Sequence, residues 1–286
     1  MKPPKIRLLA QVALGAALLV AAASPVSSQL IHDRIYPAPT APIAAASLPA
    51  GAQRVTLTTS DGLAITGTEI PPRPGKPTLL IFHGNASSAM DSLDCFAPLV
   101  AAGYGVVAAE YRGYSGNPGR ADEAGLGRDA DAFYAEARRL AAGNRVIVVG
   151  HSIGGGVAFG LAMRQKLDAL VTIGTFTGLR AMAPKIARAF IADRYDNLAA
   201  VPKLDEPYFL IHGLADDTVP AAMGQELHKA AFLAKRDGFS AVIRGAGHHP
   251  DGAVIAAIIE AIAARLDHPD AATPPLPDTV KLIAFR

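Results

Sequence analysis

The chain has 286 residues, 50% of them hydrophobic and 18% charged, which suits one α/β domain with a large core and excludes a low-complexity or disordered protein. Formal net charge is +2. Without Lys2, Lys5 and Arg7 the basic count falls from 27 to 24 against 25 acidic residues, so no basic stripe or block points to nucleic acid. The single cysteine, Cys95, excludes an internal disulfide and a cysteine-rich metal site.

Lys2, Lys5 and Arg7 precede residues 8–23, which carry no charge and one polar side chain, Gln11. Ala21-Ala22-Ala23 before Ser24 gives small residues where a signal peptidase cuts, and Val26-Ser27-Ser28 gives a second such place. A basic start, an apolar run and a small-residue end compose a secretory signal. At ~1.5 Å per residue the apolar run spans about 24 Å, short of the ~30 Å hydrocarbon core, which favours a cleaved signal over an anchor. Both readings put the domain outside the cytoplasm: periplasmic, secreted, or held on a membrane through residues 1–24. Residues 25–52, rich in Pro and Ala after position 37, read as a linker or surface strap. Residues 53–267 read as the folded domain and 268–286 as a Pro-rich tail.

Within the domain, residues 54–60 and 63–70 flank Asp61-Gly62, the pattern of an antiparallel hairpin. Strands are then expected at 78–82, 104–109, 145–149, 169–173, 208–211 and, last, 239–243. Helices are expected at 88–101, 121–141, 157–163, 223–234 and 253–266, with a helical stretch around 179–191. Alternating strands and helices of this length predict an α/β fold: a mostly parallel sheet with helices on both faces, led by the antiparallel hairpin.

Gly150-His151-Ser152-Ile153-Gly154 lies between the apolar strand 146–149 and a small-residue helix. G-x-S-x-G at a strand-to-helix turn is a nucleophile elbow, whose glycines are required because a Cβ there would strike the neighbouring strand and helix. A serine nucleophile needs a base within hydrogen-bond reach and an acid to orient it. In an open α/β sheet such groups gather at the carboxyl ends of strands. Asp216 and Asp217 follow the 208–211 strand; the alternative role for Asp217 is to cap the helix after Pro220. His248 and His249 follow the 239–243 strand, where Gly245 and Gly247 give a loop able to present an imidazole; His248 is preferred and His249 is the fallback. His83 and His212 each precede a glycine at a strand end and read as braces, and His151 as a packing neighbour of the serine. Two backbone N–H groups must face the developing oxyanion. One is expected from Ile153 and the other from Asn85, with Ala86 second. No metal site is expected, since adjacent His248 and His249 point apart.

Five motifs carry a resemblance: Phe82-His-Gly-Asn-Ala86, Glu110-Tyr-Arg-Gly-Tyr114, Gly150-His-Ser-Ile-Gly154, His212-Gly-Leu-Ala-Asp216 and Gly245-Ala-Gly-His248. Over residues 55–266 the chain resembles the α/β-hydrolase superfamily. H-G-N-A with Y-R-G-Y-S-G-N-P-G is similar to a narrower group of compact serine hydrolases with an N-terminal membrane or export segment, which includes eukaryotic protein depalmitoylases. The resemblance implies the α/β-hydrolase fold, Asp216 in preference to Asp217 as the acid, and cofactor-free acyl transfer to water through Ser152, His248 and Asp216. Glu110 departs from it, since that group more often has Asp there; the position reads as structural. Residues 173–208 leave room for a minimal cap only, which predicts a shallow, exposed acyl site lined by Phe176, Leu179, Met182 and Phe190. The expected activity is hydrolysis of an ester or thioester of a small-molecule or lipid-like acyl substrate. A peptidase or acyltransferase on the same fold is the alternative, and a non-catalytic tethered binding module the second.

Overall fold

A computed structural model describes residues 25–286. The expected signal or anchor, residues 1–24, lies outside the described residues.

One nine-stranded sheet organises the chain. Its strands are β1 (Gln53–Thr58), β2 (Ala64–Ile70), β3 (Thr78–Phe82), β4 (Gly105–Ala108), β5 (Val146–His151), β6 (Ala169–Ile173), β7 (Tyr208–Gly213), β8 (Gly238–Ile243) and β9 (Val280–Ala284). The spatial order is β1-β2-β4-β3-β5-β6-β7-β8-β9. β3 to β8 are mutually parallel; β1 and β2 form the expected antiparallel hairpin, and β9 runs antiparallel to β8. The described helices are α1 (Pro25–Ile35), α2 (Ala89–Cys95), α3 (Ala97–Ala101), α4 (Glu123–Ala141), α5 (Ile153–Ala162), α6 (Asn197–Ala200), α7 (Ala221–Leu233) and α8 (Gly252–Asp267).

The central strands are apolar on both faces because both faces are covered. Along β5, Val146 and Val148 join the core with Phe133 of α4 and Phe159 of α5, while Ile147 and Val149 join the opposite core with Leu99 of α3 and Ile262 of α8. Alternate side chains thus feed two cores. This places the carboxyl ends of β5, β7 and β8 side by side at one edge of the molecule, with β6 between β5 and β7.

Four expectations need correction. The single helix at 88–101 is two, broken at Phe96, because Pro98 lacks an N–H and its ring opposes the carbonyl four residues earlier. The stretch at 179–191 forms two short 3₁₀ turns, Leu179–Met182 and Lys185–Phe190, separated at Pro184. The strand at 239–243 is not the last. In the Pro-rich tail, β9 pairs along β8 and buries Phe285 against the ring of Tyr208, with centroids 5.6 Å apart. The linker of 25–52 is also more than a linker. Its first eleven residues are α1, whose Ile31 and Ile35, four apart on one face, pack on the core, followed by buried Tyr36.

Candidate active site

The elbow comes first in the chain. Ser152 joins β5 to α5 with φ 54° and ψ −117°, a left-handed conformation that costs a side-chain-bearing residue about 1–3 kcal/mol. The surroundings hold it there. Its N–H donates to the carbonyl of Ile173 at 2.9 Å, and its carbonyl accepts from Gly155 at 3.0 Å. A Cβ on Gly150 would stand 2.3 Å from the Gly154 carbonyl oxygen, and one on Gly154 2.0 Å from that of Phe82. Both glycines are therefore obligatory, for the steric reason the motif implies.

The other two groups arrive on the loops after β7 and β8. His248 Nδ1 lies 2.8 Å from Asp216 Oδ2. Asp216 Oδ1 accepts from the N–H groups of Thr218 (2.9 Å) and Val219 (2.8 Å), so both carboxylate oxygens are engaged. Burial alone would raise the Asp216 carboxyl; the bonds from His248 and the two N–H groups outweigh burial and hold it below the ordinary carboxylate range. Gly174, at φ 54°, abuts both members: a Cβ there would lie 3.2 Å from His248 Nδ1 and 3.3 Å from Asp216 Oδ2. Gly174 directly follows the residue whose carbonyl holds Ser152. The ends of β5, β6, β7 and β8 thus bring the three side chains to one place. Ser152 Oγ and His248 Nε2 make no hydrogen bond with each other or with any other described residue, a gap common before substrate closes such a site.

The alternatives fall elsewhere. Asp217 is exposed, and α7, with Pro220 at its N-cap, has no side-chain cap. His249 is exposed and borders a small cavity of about 120 Å³ shared with Cys95 and Asp91, on which Ser152 does not open. Ile153 is the first residue of α5, where an N–H has no partner within the helix. Ile153, Asn85 and Ser152 border one cavity, and Ala86, at φ 54°, turns the loop behind them.

Three neighbours acquire definite roles. Glu110 is a brace: one oxygen meets His83 Nε2 at 3.1 Å and the other accepts from the N–H of Ala89 at 2.9 Å, while Tyr111 Oη donates to the His83 carbonyl. These contacts fix the loop carrying Asn85 to α2. His212 braces the acid loop, its Nε2 lying 3.0 Å from the Val219 carbonyl. His151 does more than pack. Its Nε2 lies 2.9 Å from the carbonyl of His248, and a Cβ on Gly84 would stand 2.8 Å from its Nδ1. One ring therefore spans the space between the histidine loop and the loop of Asn85. Burial, and then the neighbouring His248, push the imidazole of His151 down to about 3. It is neutral, and its Nε2–H donates to the carbonyl.

Ser152 is 8% exposed and opens onto a cavity of about 510 Å³. Phe176, Leu179 and Met182 line it as expected; Phe190 does not. The expectation of a shallow, exposed site is corrected by α1, whose Ile31, Arg34 and Ile35 build a wall the cap alone would lack. Sequence reading missed this wall because helix α1 follows directly on the apolar N-terminal run and is separated from Ser152, Phe176 and Leu179 of the same cavity by over a hundred residues.

Residues 73–198 match the family described as serine aminopeptidase, S33. An uncharacterized protein of Mycobacterium tuberculosis, Rv2307c, is 34% identical over 221 residues, covering 73% of this chain and 76% of that protein. Alpha/beta hydrolase domain-containing protein 17B of Xenopus laevis is 28% identical over 179 residues, 61% of each chain. Among solved structures, an esterase of Pyrococcus furiosus, Pf2001, superposes with a TM-score of 0.60 at 21% identity over 81% of this chain and 94% of that one. An alpha-beta hydrolase from Vibrio vulnificus gives a TM-score of 0.62 at 22% identity over 75% and 81%. Elbow, strand order and relatives agree, and the chain is a hydrolase belonging to the α/β-hydrolase superfamily.

Proposed function

We propose that the chain is a serine esterase or thioesterase for substrates with an apolar acyl group. Ser152 Oγ attacks the acyl carbonyl and forms an acyl-enzyme. His248 accepts the serine proton and then passes it to the leaving group, after which it activates water for deacylation. Asp216 holds the imidazole in the tautomer that leaves Nε2 free to accept, and stabilises the imidazolium. The N–H groups of Ile153 and Asn85 receive the oxyanion. No cofactor enters this chemistry.

The observation that carries the reading is where the strained serine opens. Its cavity falls within the ~300–1,000 Å³ range of small-molecule sites and is lined mostly by aliphatic and aromatic side chains. Among the described residues lining it, Arg34 is the one charged group. An aminopeptidase would need a carboxylate there for the substrate ammonium, because a buried unpaired charge is costly. We further propose that residues 1–24 export the domain or tether it to a membrane.

The test is a series of p-nitrophenyl esters of increasing chain length. Each buried methylene contributes about 0.8 kcal/mol, so kcat/KM should rise by up to about fourfold per methylene until the cavity is full. Ile31→Ala with Ile35→Ala should flatten that slope while leaving the acetate ester nearly unaffected. A flat profile in the unsubstituted enzyme, or full turnover in Ser152→Ala, sinks the proposal.

A further inference from the structure

The rim of the cavity combines exposed aliphatic side chains with cations. Ile186, in the 3₁₀ turn opposite α1, is 85% exposed, and Leu30 of α1 is 66% exposed, the former being the most exposed large apolar side chain among the described residues. Both stand beside residues that line the cavity: Ile186 next to Ala187, and Leu30 one turn before Arg34 on the same helical face. Cations surround them. Arg34 and Lys185 are exposed, and Arg180 and Arg188 bond the carbonyls of the same cap while remaining charged. Two carboxylates lie nearby, Asp193, which accepts from Tyr36 Oη at 2.6 Å, and Asp33, bonded by Gln29 and His32, so the four cations outnumber them. Exposed aliphatic side chains amid lysine and arginine, around the mouth of an apolar cavity, suit the boundary between headgroups and acyl chains of a lipid layer. The sequence adds an independent constraint. The uncharged run of residues 8–23 ends two positions before α1 begins, so any hold of that run on a bilayer keeps α1 beside the surface.

We infer that this rim, α1 together with the turn Lys185–Phe190, docks on an anionic lipid bilayer, so that acyl chains enter the Ser152 cavity sideways from the membrane. The inference rests on the acyl-hydrolase reading for what enters, but the docking itself is measurable without turnover. Apolar side chains supply the insertion, and each rim cation adds attraction to anionic headgroups near the surface.

The experiment uses the full chain with Cys95→Ser and Ile186→Cys, labelled at the new thiol with an environment-sensitive fluorophore. It is mixed with vesicles of phosphatidylcholine alone or enriched in phosphatidylglycerol, with and without a spin-label quencher in the acyl region. The expected result is a blue shift and quenching with phosphatidylglycerol, and much less with phosphatidylcholine alone. A label at Lys281→Cys on β9 should stay water-like in both. Lys185→Glu should weaken insertion about fivefold or more for the lost cation, with hydrolysis of a soluble acetate ester unchanged. Ser152→Ala should insert normally, which separates the two readings: insertion without turnover in the unsubstituted enzyme removes the hydrolase assignment alone. A label at 186 that stays water-like with both vesicles overturns the docking. So does equal insertion in both lipids, which removes the role of charge, or a shift produced by an acylated peptide but not by vesicles, which makes the partner a protein.

Discussion

Two of the buried histidine–carboxylate pairs at carboxyl ends of strands, His83–Glu110 and His248–Asp216, differ in one respect. His83 and Glu110, 3.1 Å apart, spend every polar atom on the protein: His83 Nδ1 meets the Gly84 carbonyl and Glu110 takes the Ala89 N–H. His248 and Asp216, 2.8 Å apart, spend all but one, since His248 Nε2 has no partner among the described residues. The same chemistry is a clamp in one place and, with one nitrogen left over, leaves room in the other for the proposed base. The free atom distinguishes them, because a histidine with both nitrogens satisfied cannot accept a proton from a nucleophile without breaking its own frame.

Carboxylate-to-amide changes break the comparison most sharply. Asp216→Asn should lower kcat per folded molecule by about 10⁴, through the wrong histidine tautomer, a loss that any fall in the unfolding midpoint does not explain. Steady-state ester hydrolysis and thermal unfolding on the same preparation check this. Glu110→Gln should do the reverse. Removing one partner of a buried pair costs about 3–5 kcal/mol, so the midpoint in denaturant should fall strongly while kcat per folded molecule drops less than tenfold. If Glu110→Gln abolished turnover in a fully folded protein, the division between clamp and base would be wrong.

His151 sharpens the contrast from between the two loops. An ordinary histidine titrates near 6.5, and burial holds His151 down to about 3. Across that window the unfolded chain binds a proton that the folded chain refuses, so stability falls as pH drops below about 6.5. Between about pH 7 and 5 this one ring accounts for roughly 2 kcal/mol. His151→Gln should flatten that part of the curve, read by urea unfolding across the range; an unchanged slope would remove His151 as its source. The smallest effect is kinetic. His151→Ala, losing the bond to the His248 carbonyl, should lower kcat about tenfold with KM little changed, and His151→Gln, whose amide can still donate, should recover much of it.

Much of this was legible in the amino-acid sequence for physical reasons. Strands such as Ala169–Ile173 are short apolar runs because both faces are covered, and the run itself is the signal. The elbow was legible because Gly150 and Gly154 are the one residue type that fits against Gly154 and Phe82 backbone. Asp216 and His248, preferred to their neighbours Asp217 and His249, are the pair joined by a hydrogen bond, at 2.8 Å. Other features had no local signature. Helix α1 walls the cavity only because Ile31 and Ile35 meet a distant core, and β9 is a strand only because β8 leaves an edge for it. The bond from His151 to the His248 carbonyl joins residues 97 apart. Glu110 shows the limit from the other side. The sequence marked it as a departure with a structural role, but that its two oxygens reach His83 and Ala89 together could be seen only once β3, β4 and α2 were assembled.

The central claim is that Ser152, served by His248, carries the acyl group. Its most direct test is to quench turnover of a long-chain p-nitrophenyl ester in acid, digest the protein and locate the adduct by mass spectrometry. The account predicts one acyl chain on the peptide containing Ser152, accumulating in the unsubstituted enzyme and lost in Ser152→Ala and His248→Ala. An adduct on another residue, or one that forms at full rate without His248, would contradict it.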